Sequence, residues 1–478
     1  MREYLKFYIG GAWVDPAAQT PWTVIDPATE QTAGVINLGG EADVDRAVRA
    51  ARAAFPAFSR TSTAERIALL ERVILGMEGR RAELARAMSE EMGVPGWLAG
   101  DGVVASAVTQ TKVAIETLKT FAFEKLSGAT LVRSEPIGVC ALITPWNWPA
   151  GAVMTKLAPA LAVGCTVVLK PSEFAPFSAQ ILAEILHEAQ TPPGVFNLVQ
   201  GDGPCAGAAL SGHADVDMVT FTGSTRAGIE VARNAALTVK RVHQELGGKS
   251  PNIILPSANL EVAVPAGLRA AMINSGQACV APTRMLVPTE LAQDVEAIAV
   301  EASSALSVGP PDSGAYLGPV VNARQWASVQ DLIQSGIKEG ARLLFGGPGR
   351  PAGLERGYYV RPTVFVDTAP DMRIVREEIF GPVLVIQEYS NVDQALRMAN
   401  DTSYGLGAYL QGEDLEELRE IAARIPAGQV YLNGTGMQLS DPNAPFGGFK
   451  RSGNGRERGA HGFEAYLELK SILGYAPA

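Results

Sequence analysis

The run GVCALITPWNWP, residues 138–149, decides the fold class of this chain. Its apolar part, residues 138–143, is short and stops at a proline turn, a pattern typical of a buried strand. Three similar runs follow, at Thr166–Lys170, at 196–199 and at Met218–Thr222. Each reaches a turn of Gly, Pro or Ser and then a segment with helical spacing. The alternation predicts an α/β fold around a parallel sheet of the nucleotide-binding kind.

Before residue 138, the sequence shows mainly helical patterns. Apolar residues recur at helical spacing over residues 44–55. Ser62 and Glu65 have the spacing of a capping box, which predicts the start of a second helix. A third helix, over 82–92, is predicted to stop at Gly93, since glycine commonly ends helices.

The alternation of strand and helix patterns starts again after Gly248, so we place a domain boundary near that residue. Residues 252–255 predict a strand, and residues 261–273 predict a helix that leads toward residue 279. Gly and Pro residues predict an exposed loop over 343–359. Residues 464–473 predict a terminal strand that needs a partner edge, within this chain or on another subunit.

Composition narrows the class of partner. The 478 residues carry a net charge of −10 with no Lys/Arg-rich run, so no nucleic-acid partner is expected. The most apolar stretch, 150–169, contains Lys156 and Pro159 and predicts a buried helix and strand, with no membrane span. Four scattered cysteines and four dispersed histidines predict no metal site, and the thiols favour a reducing cytoplasm.

Two runs carry the elements of covalent catalysis. Cys279 lies in GQACVAPTR, among small residues that suit a tight turn, and Glu245 opens ELGGKSP. A thiol and a nearby base are the minimum for catalysis through a thiohemiacetal and a thioester. Taken alone, Cys279 is more often a small buried hydrophobe than a nucleophile. None of the four histidines has a motif context, so no Cys-His dyad is predicted.

Polar runs at the ends of predicted strands suit a bound dinucleotide. In KPSE, Lys170 and Glu173 can exchange hydrogen bonds with ribose hydroxyls, although the run also reads as a polar turn. In FTGST, Ser224 can cap a helix whose N-terminus faces a phosphate, and a simple capped helix is the alternative. In TPWNWP, Asn147 is a rigid amide donor that suits an oxyanion, or part of a structural turn.

Two further runs give weaker evidence of a functional site. GDGPCA, residues 201–206, fits a loose dinucleotide pattern, but an acidic ribose partner would have to follow it, and Glu173 precedes it. A tight turn beside the cofactor is the better interpretation. EEIFGPV, residues 377–383, reads by itself as a helix end and a turn.

Seven runs now stand in order, and together they resemble the NAD(P)-dependent aldehyde dehydrogenase superfamily over essentially the whole chain. They are TPWNWP (144–149), KPSE (170–173), FTGST (221–225), ELGGKSP (245–251), GQACVAPTR (276–284), EEIFGPV (377–383) and PFGGFKRSG (445–453).

The resemblance implies an aldehyde dehydrogenase-like α/β fold of three parts. A Rossmann-like cofactor domain would take residues 1–113 and 137–247, and an α/β catalytic domain residues 248–463. A small β oligomerisation flap would come from residues 114–136 and 464–478. Members of the superfamily are dimers or tetramers, so a homo-oligomer is expected.

The resemblance also implies catalytic roles. Cys279 looks like the nucleophile that attacks the aldehyde carbon. Asn147 and the backbone N–H of Cys279 look like the oxyanion hole, and Glu245 looks like the base that activates water for thioester hydrolysis. The residues implied to contact the cofactor are Ile143, Thr144, Pro145, Trp146, Lys170, Ser172, Glu173, Gly203, Gly223, Ser224, Leu246, Gly247, Glu378 and Phe380.

For the cofactor, NAD is expected and NADP stays possible, because Glu173 would repel a 2′-phosphate whereas Lys170 would not. For the substrate, Trp148 and Phe446 are expected as pocket walls, with extra room at Thr155. This favours medium apolar or aromatic aldehydes over charged semialdehydes, and the sequence assigns no arginine to a substrate carboxylate.

Three other readings stay open. A CoA-acylating dehydrogenase would replace water with CoA, but that branch usually lacks the glutamate found at Glu245. A non-redox thiol esterase would leave KPSE, FTGST and EEIFGPV without a purpose. A non-catalytic descendant would have lost Cys279, Glu245 or Asn147, and all three are present.

Overall fold

The computed structural model describes residues 1–436 and 439–476 and contains four β-sheets. In chain order the strands are β1 (Arg2–Tyr4), β2 (Phe7–Ile9), β3 (Ala12–Val14), β4 (Pro21–Asp26), β5 (Gln31–Asn37), β6 (Glu124–Ser127), β7 (Thr130–Pro136), β8 (Val139–Ile143), β9 (Thr166–Lys170), β10 (Phe196–Leu198), β11 (Met218–Thr222), β12 (Arg241–Glu245), β13 (Pro251–Ile254), β14 (Arg284–Pro288), β15 (Arg342–Phe345), β16 (Thr363–Val366), β17 (Val383–Tyr389), β18 (Gly407–Gln411), β19 (Gln429–Leu432), β20 (Gly453–Asn454) and β21 (Leu467–Ile472).

The α-helices alternate with these strands. They are α1 (Glu41–Phe58), α2 (Thr63–Gly79), α3 (Arg81–Met92), α4 (Gly96–Leu98), α5 (Ala105–Thr120), α6 (Pro149–Val163), α7 (Pro176–Glu188), α8 (Ala208–Gly212), α9 (Thr225–Ala236), α10 (Leu260–Met272), α11 (Ala292–Ala302), α12 (Ala323–Lys338), α13 (Arg373–Arg376), α14 (Val392–Asn400), α15 (Leu415–Ala422) and α16 (Gly459–Glu464).

The first large sheet has the strand order of a nucleotide-binding fold. Its eight strands run β20-β12-β11-β8-β9-β10-β2-β3, and the five strands from β12 to β10 are mutually parallel. Among the parallel strands, β8 comes first in the sequence. β9 and β10 follow on one side of β8, and β11 then pairs with the other side of β8. The order therefore reverses between β8 and β11, and ligands of such sheets bind at that point, at the carboxyl ends of the strands.

The carboxyl ends of the parallel strands lie level with one another. Ile143 pairs with Lys170 on one side and with Phe221 on the other, and Thr222 pairs with Glu245. The residues that follow these strands, including the TPWNWP, KPSE, FTGST and ELGG runs, therefore collect at one edge of the sheet.

A short strand from the C-terminal part completes this sheet. β20 pairs antiparallel with β12, with Gly453 opposite Glu245. Gly453 has φ +126°, and a Cβ atom there would lie 2.0 Å from the backbone oxygen of Gln244. Only glycine allows this close approach, which brings residues 446–458 beside the end of β12.

Apolar side chains cover both faces of this sheet. One cluster packs α2, α5, α6 and α7 against it, and a second packs α1 and α8 against the opposite face. Residues 150–169 form the buried helix α6 and the buried strand β9, as the sequence predicts. None of the described helices is long and apolar enough to cross a membrane.

The second large sheet has seven strands in the order β15-β16-β17-β14-β13-β18-β19. All neighbouring strands are parallel except β15 and β16. The predicted strand at 252–255 and helix at 261–273 are β13 and α10, each displaced by one residue.

Helix ends follow the predicted capping chemistry. Ser62 Oγ accepts from the Glu65 backbone N–H, and Glu65 Oε2 accepts from the Ser62 backbone N–H at 2.7 Å, which completes the capping box of α2. Such a cap contributes about 1 kcal/mol. α3 ends at Gly93, whose φ of +79° is the left-handed conformation expected of a C-terminal glycine.

Two segments differ from the prediction. The predicted loop over 343–359 begins inside β15, because apolar Leu343 and Phe365 pair across the β15–β16 ladder. The predicted strand at 464–473 is shorter, since Glu464 is the last residue of α16 and β21 begins at Leu467. β21 pairs antiparallel with β7 of the same chain, and β6 completes that three-stranded sheet. Strands β1, β5 and β4 form the second three-stranded sheet.

Candidate active site

Cys279 follows a turn held in a left-handed backbone conformation. Asn274, Ser275 and Gly276 have φ values of +50°, +57° and +73°. A Cβ atom at Gly276 would lie 2.0 Å from the Gly381 carbonyl oxygen, so a larger residue does not fit there. Because non-glycine residues rarely adopt this conformation, two in succession mark strain of the kind found at functional sites.

Buried hydrogen bonds hold the strained turn. Ser275 Oγ donates to the Gly318 carbonyl oxygen at 2.7 Å, and the Val321 N–H donates to Gln277 Oε1 at 2.9 Å. The turn ends at Cys279, whose side chain is half-buried. Opposite it, Gly248 leaves room for the Cys279 carbonyl, which would lie 2.5 Å from a Cβ atom at that position.

The Cys279 side chain is a neutral thiol in this environment. Burial raises its pKa to about 12, and the carboxylates of Glu378 and Glu245 add to the rise. Because a thiolate is the reactive form, the thiol must lose its proton to a base when it reacts.

Asn147, which follows β8 of the eight-stranded sheet, is hydrogen-bonded to the same turn. Its Nδ2 donates to the Gln277 carbonyl oxygen at 3.0 Å, and its own carbonyl oxygen accepts from Asn274 Nδ2 at 2.9 Å. Asn147 lies between β8 and α6, where Pro149 fixes the first helical residue. An Asn amide has two N–H bonds, so the second hydrogen stays free to donate to a ligand beside the turn.

Glu245, the last residue of β12, carries a buried carboxyl group. Its exposed fraction is 3%, and neither carboxyl oxygen has a hydrogen-bond partner among the described residues. Burial raises its pKa well above the ordinary value, and the charge of Glu457 adds to the rise. A carboxyl group with both oxygens free and a raised pKa is, once ionised, a stronger base than an exposed carboxylate.

A buried cluster lies next to Glu245 and was not predicted from the sequence. Lys156 Nζ donates to Glu457 Oε1 at 2.5 Å and to Thr220 Oγ1 at 3.1 Å. His243 Nε2 lies 3.5 Å from Glu245 Oε1, and burial together with Lys156 lowers the pKa of His243 to about 4. His243 is thus neutral. A lysine in the otherwise apolar helix α6 was the one signal for this cluster.

The switch point between β8 and β11 collects the residues predicted to bind a cofactor. Ile143, Thr144, Pro145 and Trp146 form the end of β8 and the turn after it, and the buried Thr144 hydroxyl oxygen has no hydrogen-bond partner in the part of the chain that the structure describes. Other members lie at the carboxyl ends of further strands of this sheet: Lys170, which ends β9, with Ser172 and Glu173 after it; Gly203 after β10; Gly223 and Ser224 after β11; Leu246 and Gly247 after β12.

Individual contacts define this crevice. Lys170 Nζ donates to the Gly201 carbonyl oxygen at 2.7 Å and lies 3.6 Å from Glu173 Oε2. Ser224 Oγ accepts from the Ala227 N–H and caps α9, whose N-terminus faces the crevice. A Cβ atom at Gly203 would meet no heavy atom within 4 Å, so the space around that glycine is open.

Glu378 and Phe380 reach the crevice from the second sheet. Glu378 Oε1 accepts from the Gly248 N–H at 2.9 Å, and a Cβ atom at Gly247 would lie 2.1 Å from Glu378 Oε2. Burial raises the pKa of Glu378 to about 7. Phe380, with φ +53°, contacts Trp146 edge to face at 5.3 Å between ring centres. The structure therefore joins these residues to TPWNWP and ELGG.

The three residues predicted to line the substrate pocket lie in different parts of the structure. Trp148 packs partly into the helical core, and Thr155 Oγ1 donates to the Gly151 carbonyl oxygen within α6 at 2.8 Å. Phe446 is half-buried, and its backbone pairs with Glu457 in both directions, at 2.9 and 2.7 Å.

Three more residues around Cys279 were missed by sequence reasoning. Tyr409 Oη donates to the Val280 carbonyl oxygen at 2.9 Å and stacks on Tyr431 with ring centres 4.7 Å apart. The Arg458 guanidinium lies 4.6 Å from the ring centre of Phe446. These side chains come from separate strands and the C-terminal segment, so no local motif could have signalled them.

Comparisons with known proteins agree on one family. The sequence model of the aldehyde dehydrogenase family matches residues 13–472. A 3-succinoylsemialdehyde-pyridine dehydrogenase from a Pseudomonas species is 51% identical over 99% of both chains. Among solved structures, an aldehyde dehydrogenase from Pseudomonas syringae is 52% identical with a TM-score of 0.97, covering 99% of this chain and 97% of its own. That protein is a cysteine-to-alanine variant in complex with NAD+ and octanal.

A more distant neighbour has the same fold. Betaine aldehyde dehydrogenase from Staphylococcus aureus, in complex with NAD+, is 31% identical with a TM-score of 0.95 and covers 99% of this chain and 95% of its own.

Proposed function

The chain belongs to the aldehyde dehydrogenase family, and on that premise we propose that it oxidises an aldehyde to the carboxylic acid with NAD. One observation carries the proposal: Asn147 is hydrogen-bonded to the strained turn of Cys279, and Glu245, whose carboxyl oxygens have no hydrogen-bond partner among the described residues, ends β12 in the same sheet as β8. A thiol, an amide donor and a free base are the groups that oxidation through a thioester needs.

In the first step, the Cys279 sulfur forms a bond to the aldehyde carbon and the thiol proton leaves to solvent water. The carbonyl π-electrons move to oxygen, and the Asn147 amide and the Cys279 backbone N–H donate to the resulting alkoxide. Because the pKa of Cys279 is raised to about 12, the thiol reacts through the small thiolate fraction that remains after its proton has passed to water.

The crevice at the switch point fits a dinucleotide. The unpartnered Thr144 hydroxyl, the open space at Gly203 and the helix terminus at Ser224 suit polar and phosphate groups. Lys170 and Glu173 would hold the adenine ribose, and Glu378 the nicotinamide ribose. When bound, NAD supplies the hydride acceptor that turns the thiohemiacetal carbon into a thioester.

In the last step, Glu245 takes a proton from water, the oxygen adds to the thioester carbon, and the Cys279 thiolate leaves. Burial and the Glu457 charge raise the pKa of Glu245, which makes its carboxylate a stronger base than an exposed one.

The substrate proposed from the sequence is a medium apolar or aromatic aldehyde. Trp148 and Phe446 supply apolar surface, and the octanal complex of the Pseudomonas syringae relative supports an aliphatic chain of moderate length. The pyridine ring in the substrate name of the Pseudomonas relative supports an aromatic group.

We also propose that the chain forms a homo-oligomer through the sheet β21-β7-β6. The residues of β6 and most of those of β21 are exposed, including Leu469 at 73%. The division into cofactor, catalytic and oligomerisation segments is part of this proposal, as is a cytoplasmic location. Residue 113, the first boundary, lies inside α5.

Glu173 is expected to set the cofactor preference. Replacing it with Gln removes a negative charge from the adenine-ribose side, so the 2′-phosphate of NADP is no longer repelled. We expect the ratio of kcat/KM for NADP to that for NAD to rise about tenfold or more. Initial-rate kinetics with each cofactor measures this ratio, with exposed Glu261→Gln as the control. An unchanged ratio would show that Glu173 does not face the ribose.

The proposed function is tested by the near-ultraviolet absorbance of NADH. Purified protein is mixed with NAD or NADP and a panel of aliphatic, aromatic and semialdehyde substrates, with and without CoA. We expect reduction of NAD without CoA. Reduction only in the presence of CoA would indicate an acylating enzyme, and ester hydrolysis without any reduction would indicate a non-redox thiol esterase.

A further inference from the structure

Arg458 lies where the returning C-terminal segment meets the proposed aldehyde pocket. The backbone pairing of Phe446 with Glu457 puts Arg458 next to Phe446, and the guanidinium stacks over the phenyl ring at 4.6 Å. The neighbour of Phe446 abuts the proposed base, since a Cβ atom at Gly447 would lie 2.8 Å from Glu245 Oε1. Arg458 therefore stacks on Phe446, and the next residue in the chain, Gly447, lies beside Glu245.

A second connection leads from Arg458 to Cys279. Burial raises the pKa of Tyr431 to about 12, the charge of Arg458 opposes that rise, and Cys279 adds to it. Tyr431 therefore lies within electrostatic reach of both residues. Its stacking partner Tyr409 donates to the carbonyl of Val280, directly after Cys279. The guanidinium and the thiol thus both lie within electrostatic reach of one aromatic pair.

The hydrogen-bonding capacity of Arg458 is unused within the described residues. Its Nε is buried without a hydrogen-bond partner, and no described carboxylate forms an ion pair with it. Its neighbour Glu457 is bonded to Lys156. By contrast, Arg456 donates to the carbonyl oxygens of Gly448 and Gly455. A buried N–H without an acceptor is costly, which favours an acceptor supplied by a ligand.

We propose that Arg458 binds an oxygen acceptor, a carboxylate or a ketone, at the end of the substrate remote from the aldehyde. This inference rests on the proposed function and narrows its substrate class to aldehydes whose apolar chain or ring ends in such an acceptor. The planar guanidinium can donate two parallel hydrogen bonds to a carboxylate and one to a ketone. Phe446 beneath it provides apolar surface for the middle of the substrate.

The test compares aldehydes that differ only at the far end. Succinic semialdehyde is paired with butanal, and adipic semialdehyde with hexanal, and kcat/KM is measured for each. The readout is the ratio of kcat/KM for the acid-bearing aldehyde to that for its alkanal. Arg458→Met keeps the chain length and removes the charge, and Arg458→Lys keeps the charge without the planar fork. Because methionine, lysine and arginine all carry a Cβ, the positive φ of residue 458 disfavours none of them more than another.

We expect Arg458→Met to lower this ratio by roughly ten- to a hundredfold for the pair of best-fitting length, with a smaller loss in Arg458→Lys. Exposed Arg356→Met, which removes the same charge elsewhere, should leave the ratio as in the wild type. An equal ratio in wild type and Arg458→Met, with both alkanals oxidised, would overturn the role of Arg458 and leave the proposed function intact. Absence of oxidation for every aldehyde would refute the proposed function instead.

Discussion

Replacing Cys279 with alanine is expected to abolish aldehyde oxidation, with a fall in turnover of about ten-thousandfold or more. Without the sulfur no thiohemiacetal forms, and a hydride cannot leave a hydrated aldehyde held only by Asn147. Any ester hydrolysis should disappear together with oxidation, because both use the same nucleophile. NADH formation and hydrolysis of a chromogenic ester, measured on the same preparation, check both losses.

The control for this variant is Cys205→Ala, which removes an exposed thiol. Binding of NAD, measured by quenching of tryptophan fluorescence, should persist in Cys279→Ala because the crevice is built from other residues. Turnover retained in Cys279→Ala would mean that another group is the nucleophile. Loss of NAD binding as well would point to a disturbed turn and would call for Cys279→Ser.

Replacing Glu245 with glutamine is expected to separate the two halves of the reaction. The first turnover should still release about one NADH per active site, and steady-state turnover should fall by about a hundred- to ten-thousandfold. The amide is close in shape to the carboxyl group but cannot take a proton from water, so the thioester accumulates. Stopped-flow absorbance resolves the burst from the steady state.

The pH profile gives an independent readout. The pKa of Glu245 is raised by burial and by Glu457, so the carboxylate appears only as the pH rises through that elevated value. Deacylation in the wild type should therefore increase with pH, and this limb should be missing in Glu245→Gln. Exposed Glu355→Gln serves as the matched control. Loss of the burst together with turnover would show that Glu245 acts before deacylation, as the base that takes the proton of Cys279, and would contradict the proposed order of steps.

The parallel sheet could be predicted because its signals are local. β9 and β11 have the predicted bounds, and β8 and β10 differ from the prediction by one residue at one end. In each, an apolar run is closed by a turn residue, and neither feature depends on distant parts of the chain. The strand order was not predictable in the same way, since it depends on which runs pair.

The missing parts of the site depend on long-range pairing. Lys156 and Glu457 are separated by 301 positions, and their contact exists only because β20 returns to β12. Likewise, nothing in the sequence around Arg458 indicates that it stacks on Phe446. Motif reasoning singled out Cys279, Asn147 and Glu245 as candidates because each lies in a short run with its own chemistry. Electrostatics such as the raised pKa of Cys279 arise from burial among groups distant in sequence.

The most direct measurement of the central claim, a covalent acyl group on Cys279, is mass spectrometry of the trapped intermediate. Glu245→Gln protein is mixed with NAD and octanal, quenched with acid after the burst, and measured intact and after proteolysis. The account predicts one octanoyl group per chain, on the peptide that contains Cys279, in proportion to the NADH released. A full burst without an acyl group, or with the group on another residue, would contradict it.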